Sequence, residues 1–319
     1  MKGVPGSRHY RLIIVGGGPG GLTAGLYASR AQIATLLLEK GATGGQVLVT
    51  DWLENYPGFP EGISGFALGE KFSVQARRFG LEVEAAEVVA VEVLGARKSV
   101  TLESGEKLTC EALIVATGAR PNHLGVPGEK EFSGKGVSYC ATCDAPFYRE
   151  QEIAVVGGGD TAIKEAIYLS KFARKVTVIH RRERLRAERA LQDQAFANPR
   201  IAFLWEARVA RIVGTKGVEA VQVVHNDGRE IILPVQGVFV LIGIKPNNEL
   251  LPLELLRHEQ GLIVTDCRMR TNIPGVLAVG DIRSCSARQV VTAAGDGAVA
   301  VKAAEEYIEQ LAREAGSAG

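Results

Sequence analysis

Five cysteines occur in the 319 residues, and one pair of them stands close together, in Cys140-Ala141-Thr142-Cys143, followed at once by Asp144. Two thiols separated by two residues can close a small disulfide, and at a helix N-terminus the partial positive charge also favours the thiolate. That is the chemistry of reversible two-electron exchange. Asp144 reads in two ways, as a proton donor and acceptor for the thiol steps or as a helix cap. The rival reading of the pair is a zinc half-site. Zinc takes four ligands, and the chain offers no second Cys-x-x-Cys and no histidine pair, so no metal is expected. Cys110, Cys267 and Cys285 read as small apolar fillers, and an odd cysteine count in a long chain argues against a secreted disulfide framework.

A dithiol needs a source of electrons, and two glycine turns supply candidates. Leu12-Ile13-Ile14-Val15 is an apolar run that enters Gly16-x-Gly18-x-x-Gly21 and then a helix beginning near Gly20. The first glycine of such a turn permits the bend, the second lets a pyrophosphate approach the backbone, and the third lets helix pack on strand. The next strand, Thr35 to Leu38, ends in Glu39, 23 residues beyond Gly16, which is the place of a ribose-binding acid. The pattern returns at Ile153 to Val156, followed by Gly157-x-Gly159-x-Thr161-Ala162 and a helical stretch through Leu169. Its second strand, Val176 to Ile179, ends in His180, again 23 residues on, and here the acid is missing. His180, Arg181 and Arg182 stand in its place, with Arg186 one helical turn further. Cations there suit a 2′-phosphate that a carboxylate would repel, so the second unit is expected to prefer NADPH over NADH. The alternative for this basic run is a solvated helix start.

The elements that must position these groups follow from length and pattern. The chain is long enough for two domains. Strand-plus-glycine elements at 112–118 and 238–246 mark the changes of domain, with linkers near 119–121 and 244–247, and Val276 to Asp281 is a further strand before a C-terminal helix. The expected fold is α/β, with two Rossmann-like nucleotide-binding domains, one inserted in the other: residues 1–120 and 247–319 form a discontinuous domain around 121–246, which carries the dithiol. Lysine and arginine number 37 against 36 acidic residues, a net charge of +1, which implies no nucleic-acid partner. No stretch approaches the roughly 20 apolar residues of a membrane helix, and residues 1–10 contain no apolar leader core, so no membrane association and a cytoplasmic location are expected.

In their order these motifs resemble the low-molecular-weight thioredoxin reductases of bacteria along nearly the whole chain. Shared features are the first glycine turn, Gly44-Gly45-Gln46, Ala116-Thr117-Gly118, Cys140-Ala-Thr-Cys143-Asp144, the second glycine turn, His180-Arg-Arg-x-x-x-Arg186, and Gly280-Asp281 followed by Arg288-Gln289. The resemblance implies FAD held by Gly16, Gly18, Gly21, Glu39, Gly45, Gln46, Thr50 and Asn55, joined by Asp281, Arg288, Gln289 and Val290. It implies NADPH on the inserted domain, Cys143 facing the flavin, Cys140 attacking the disulfide of thioredoxin or a thioredoxin-like protein, Asp144 as acid and base, and a homodimer. Lys135 and Phe147 occupy positions that help dock thioredoxin in that family. Pro146 and Ala145 depart from its common aromatic and glycine. Two other readings remain open: another acceptor, such as a glutaredoxin-like protein, a peroxidase partner or oxygen, and a redox sensor without turnover.

Overall fold

The computed structural model describes residues 8–252, 254–258 and 260–317. The chain divides into two units: one comprises the residues through Arg120 together with those from Lys245 onward, and Pro121–Ile244 forms the other.

The first unit opens with β1 (His9–Val15), α1 (Pro19–Arg30) and β2 (Thr35–Glu39), followed by α2 (Gly65–Arg78), β3 (Glu82–Ala85), β4 (Val88–Leu94), β5 (Arg97–Leu102) and β6 (Lys107–Val115). β3, β2, β1 and β6 lie side by side and parallel, and β5 and β4 continue the sheet antiparallel. The unbroken run Leu12 to Val15 suits a strand covered on both faces. Alternation along it feeds two cores: Leu12 and Ile14 pack with Leu22, Ala24 and Ala28, whereas Ile13 and Val15 pack with Val91 and Val100.

β7 (Ala119–Pro121) leads into the second unit. There β8 (Val137–Ser138), α3 (Ala141–Asp144), β9 (Glu152–Val156), α4 (Asp160–Leu169), β10 (Lys175–Ile179), α5 (Arg189–Phe196) and β11 (Ile201–Leu204) precede an antiparallel meander of β12 (Ala207–Gly214), β13 (Val218–His225) and β14 (Glu230–Pro234), and then β15 (Gly237–Val240). The parallel sheet runs β11-β10-β9-β15-β8. Ile153 and Val155 of β9 face Ala162, Ile163 and Ala166 of α4, while Ala154 and Val156 face Val209, Val221 and Val223 of the meander. Both units thus centre on a glycine-turn strand with the doubly wound neighbour order 3-2-1-4, and the fold is α/β with two Rossmann-like units.

The chain returns through β16 (Ile244–Pro246), which pairs with β7 in a two-stranded sheet, so the segments read from sequence as bare linkers are short strands. β17 (Val276–Ala278) lies parallel to β6, and α6 (Val290–Ser317) closes the first core through Ala300, Val301, Ala304 and Ile308. No helix among the described residues is long and apolar enough to cross a membrane.

Candidate active site

Cys140 and Cys143 are joined by a disulfide with Cα atoms 5.3 Å apart. Cys140 is the N-cap of α3, and its Sγ accepts a hydrogen bond from the Cys143 N–H at 3.2 Å. Because α3 spans only Ala141–Asp144 before a single 3₁₀ turn over Ala145–Tyr148, the local N–H, not a long helix dipole, acts on the sulfur. Ala141 and Ala145 anchor the turn in the core beside Ile153 and Phe239, while the two cysteines and Asp144 are half-buried. The cap position belongs to Cys140, and the Asp144 carboxylate makes no side-chain capping bond to the turn that follows. Its charge, together with burial as the larger cause, pushes the Tyr148 phenol up to about 12. Lys135 and Phe147 are exposed and Pro146 is half-buried.

In the same unit, β9 runs into Gly157, whose φ of +153° and close approach to the Leu241 carbonyl both exclude a side chain. A Cβ on Gly159 would meet nothing within 4 Å, so the turn leaves open space at the start of α4, where Thr161 is exposed and Ala162 buried. Burial holds His180 below the usual histidine range; it is 5% exposed, and its ring fills the space beside Gly158. Its Nε2 lies 3.0 Å from the Arg184 carbonyl, which can only accept, so Nε2 carries the proton. His180 therefore supports the basic loop from beneath. The loop is not a solvated helix start, the alternative for this basic run: 181–188 are irregular, α5 begins at Arg189, and Arg186 N–H donates to the Gly158 carbonyl at 2.7 Å. Arg181, Arg182 and Arg186 remain exposed. Asp160, which the sequence did not single out, accepts from the Glu188 N–H at 2.7 Å and ties the far end of the loop to α4.

In the first unit Gly16 has φ +108°, and a Cβ there would run into the Ala116 carbonyl. Gly21 sits against the Gly16 carbonyl, as the third glycine of the turn requires. A Cβ on Gly18 would find only Gly45 Cα, at 3.9 Å. Glu39 at the end of β2 accepts from Gly17 N–H at 2.7 Å and Gly41 N–H at 3.0 Å. Gly45 and Gln46 lie in a 3₁₀ turn, Thr50 caps its end and Asn55 follows on an exposed loop. Asn55 Nδ2 donates to Gln289 Oε1 at 3.1 Å, and Val290 packs on the small cluster of Val47, Leu53, Ile63 and Leu68, so the 45–55 and 288–290 segments meet. Asp281, whose carboxyl burial pushes up, accepts from Ser286 Oγ at 3.3 Å, and Arg288 has φ +54°. The sequence reading missed what holds this segment: Arg283 binds Asp296 through two nitrogens at 2.6 and 2.8 Å, and Gly280 N–H donates to the same carboxylate at 3.0 Å. The lone aspartate among small residues of α6 was the available signal. Cys110 is buried, as a filler should be, but Cys267 and Cys285 are exposed and fill nothing. Among the described residues no cluster of three or more His, Cys, Asp or Glu side chains could hold a metal ion.

Each unit thus holds a glycine turn at the end of a parallel strand, and the second adds a disulfide. Residues 10–297 match the pyridine nucleotide-disulphide oxidoreductase family. The chain belongs to this family. Among its relatives, the thioredoxin reductase of Listeria innocua is 46% identical over 305 residues, 95% of each chain, and that of Bacillus subtilis is 44% identical, covering 95% of this chain and 96% of the relative. The crystal structure of thioredoxin reductase from Streptococcus pyogenes superposes with a TM-score of 0.91 at 42% identity, covering 95% of this chain and 99% of the other.

Proposed function

We propose that the protein is an NADPH-dependent flavoprotein that reduces the disulfide of thioredoxin through Cys140 and Cys143. The observation that carries this reading is the Cys140–Cys143 disulfide in the same unit as a glycine turn flanked by exposed arginines. FAD fits the first unit: Gly18 leaves its side of the turn open, with only Gly45 nearby, and the Glu39 carboxylate stands at the ribose position. Gly16, Gly21, Gln46, Thr50, Asn55, Asp281, Arg288, Gln289 and Val290 complete that assignment. NADPH fits the second unit through Gly157, Gly159, Thr161, Ala162, Arg181, Arg182 and Arg186, with His180 positioning the loop. Held there, FAD would supply two-electron chemistry between NADPH and the Cys140–Cys143 disulfide.

The chain's own groups then act on the protein substrate. Cys140 thiolate attacks the thioredoxin disulfide, forming a mixed disulfide and releasing one thiolate of thioredoxin, which takes up a proton. Cys143 thiolate attacks Cys140 Sγ, reforming the intramolecular disulfide and expelling the second thiolate of thioredoxin, and Asp144 carries protons for these steps. Lys135 and Phe147 belong to the docking surface. We further read the protein as a cytoplasmic homodimer, which sedimentation would check.

An acceptor screen tests the activity. With NADPH fixed, thioredoxin should be reduced at a catalytic rate that a glutaredoxin-like protein, a peroxidase partner and oxygen do not approach. Preference for any of these acceptors over thioredoxin would overturn the substrate assignment, and absence of turnover with every one would favour a sensor.

A further inference from the structure

Directly upstream of Cys140 lies a buried polar network that the redox steps do not use. Glu129 is 4% exposed, and both of its oxygens are engaged. Oε1 accepts from Leu124 N–H at 2.8 Å and from Tyr139 OH at 3.0 Å, and Oε2 accepts from Gly125 N–H at 2.7 Å. His123 Nδ1 stands 2.8 Å from the same phenol oxygen and 3.6 Å from Glu129 Oε1, its ring edge-on to Tyr139 at 5.2 Å. The phenol has one proton, and with the carboxylate taking it, His123 Nδ1–H donates to the phenol oxygen. A buried carboxylate is costly unless its lone pairs are satisfied, and here two backbone N–H groups and a hydroxyl satisfy it.

The network joins two segments with different jobs. Residues 123–125 follow β7, and Tyr139 is the residue before Cys140. On the cysteine side, Ser138 Oγ accepts from the Cys140 N–H at 3.1 Å, and Cys140 Sγ accepts from the Cys143 N–H. The backbone entering the dithiol is therefore clamped from upstream by Glu129, while the turn leaving it is fixed by the buried Ala141 and Ala145.

We propose that Glu129 and Tyr139 are positioning residues for Cys140. They hold the strand end when the disulfide is open, so that the two sulfurs stay within closing distance and keep a high effective concentration toward each other. His123, with its side chain 61% exposed, is the outer end of the network. This rests on the reading of Cys140–Cys143 as the working disulfide, but not on the identity of the acceptor. Releasing the clamp makes the open dithiol more disordered, so closing the bond costs more entropy and the pair shifts toward its reduced form at a given thiol poise.

The test is an exchange equilibrium on the holoenzyme. Under anaerobic conditions with defined ratios of reduced and oxidised dithiothreitol, the enzyme disulfide and the reduced reagent exchange to give the enzyme dithiol and the cyclic oxidised reagent, an electron pair and two protons passing to the enzyme. Acid quenching, alkylation and peptide mass analysis read the reduced fraction. Tyr139→Phe and Glu129→Gln should each move the equilibrium toward the dithiol by about two- to tenfold. The double variant should move it no further than the larger single, because both act through one link. The rate of flavin reduction by NADPH should be unchanged. A folded Tyr139→Phe enzyme, which lacks only a hydroxyl, with an unshifted equilibrium constant would overturn the proposal even if its melting temperature falls, and so would a shift toward the disulfide. Should Glu129→Gln fail to fold, His123→Gln replaces it, with a smaller shift in the same direction expected. Failure of thioredoxin as acceptor would leave this measurement intact, whereas a wild-type pair that does not exchange at all would sink the functional reading instead.

Discussion

The two glycine turns share a backbone and differ in what closes them. In the first, the group at the end of the second strand is a carboxylate, Glu39, that accepts from two N–H groups, that of Gly17 in the turn and that of Gly41 just beyond the strand. In the second, the equivalent residue is His180, buried and turned inward onto Arg184, with Arg181 and Arg182 exposed beside it. One backbone thus presents a negative charge held by backbone N–H groups in one unit and exposed positive charges in the other. Ligand choice lies in two or three side chains at one strand end, not in the fold.

The largest expected effect concerns the feature of the second unit that the first lacks. Cys140→Ser or Cys143→Ser should lower NADPH-driven disulfide turnover by roughly a thousandfold or more, while hydride transfer, followed by loss of flavin absorbance, persists; full turnover in either variant would remove the dithiol from the chemistry. Next, replacing Arg181 and Arg182 with glutamine should shrink the NADPH-over-NADH ratio of kcat/KM by about tens to a thousandfold, since charged contacts contribute about 1.5–3 kcal/mol each. Equal use of the two cofactors by the unaltered protein would erase the contrast between the turns. Glu39→Gln keeps the shape and removes the charge; FAD should dissociate with a Kd about tenfold higher, measured by flavin release on dilution.

The smallest effect tests a charge buried in the first core. Lys98 is fully buried on β5, its Nζ donating to the carbonyls of Ala96 and Glu111 and to Tyr307 OH, and burial lowers it to about 8 from 10.5. Between those values the unfolded chain binds the extra proton, so stability rises with pH. Cys110, its cross-strand neighbour, is raised by burial to about 12 from 9.0 and acts oppositely once the unfolded thiol ionises. The clear rise is therefore confined to pH 8–9. There the Tm of the wild type should gain about 1–3 °C on that of Lys98→Met; parallel curves would mean that Lys98 is not titrating.

What was legible in the sequence was local or periodic. The glycine turns, the two strand ends at matched spacing and the dithiol are defined by residues within about 25 positions of each other. The inward turn of His180 was not legible, because it depends on the Gly158 backbone and the Arg184 carbonyl around which the loop closes. Nor was the clamp of Arg283 on Asp296, or that of Glu129 on Tyr139, since a lone charge in a chain does not name its partner. The exposure of Cys267 and Cys285 was missed for a related reason: a cysteine's usual burial is a tendency of the residue type, and their loops were invisible to periodicity.

The placement of β17 has a consequence for how the chain is made. β17 pairs with Leu113 to Val115 at the end of β6, which precedes the entire second unit, so the first sheet stays incomplete until the ribosome has passed through Pro121–Ile244. A bare loop of that length would make the late pairing slow. The intervening unit has its own core, and β7 and β16 bring the strands at its two borders together, so once it folds it shortens the loop that β17 must close. Synthesis and refolding should then follow one order, with the inserted unit first and the docking of β17 and α6 last.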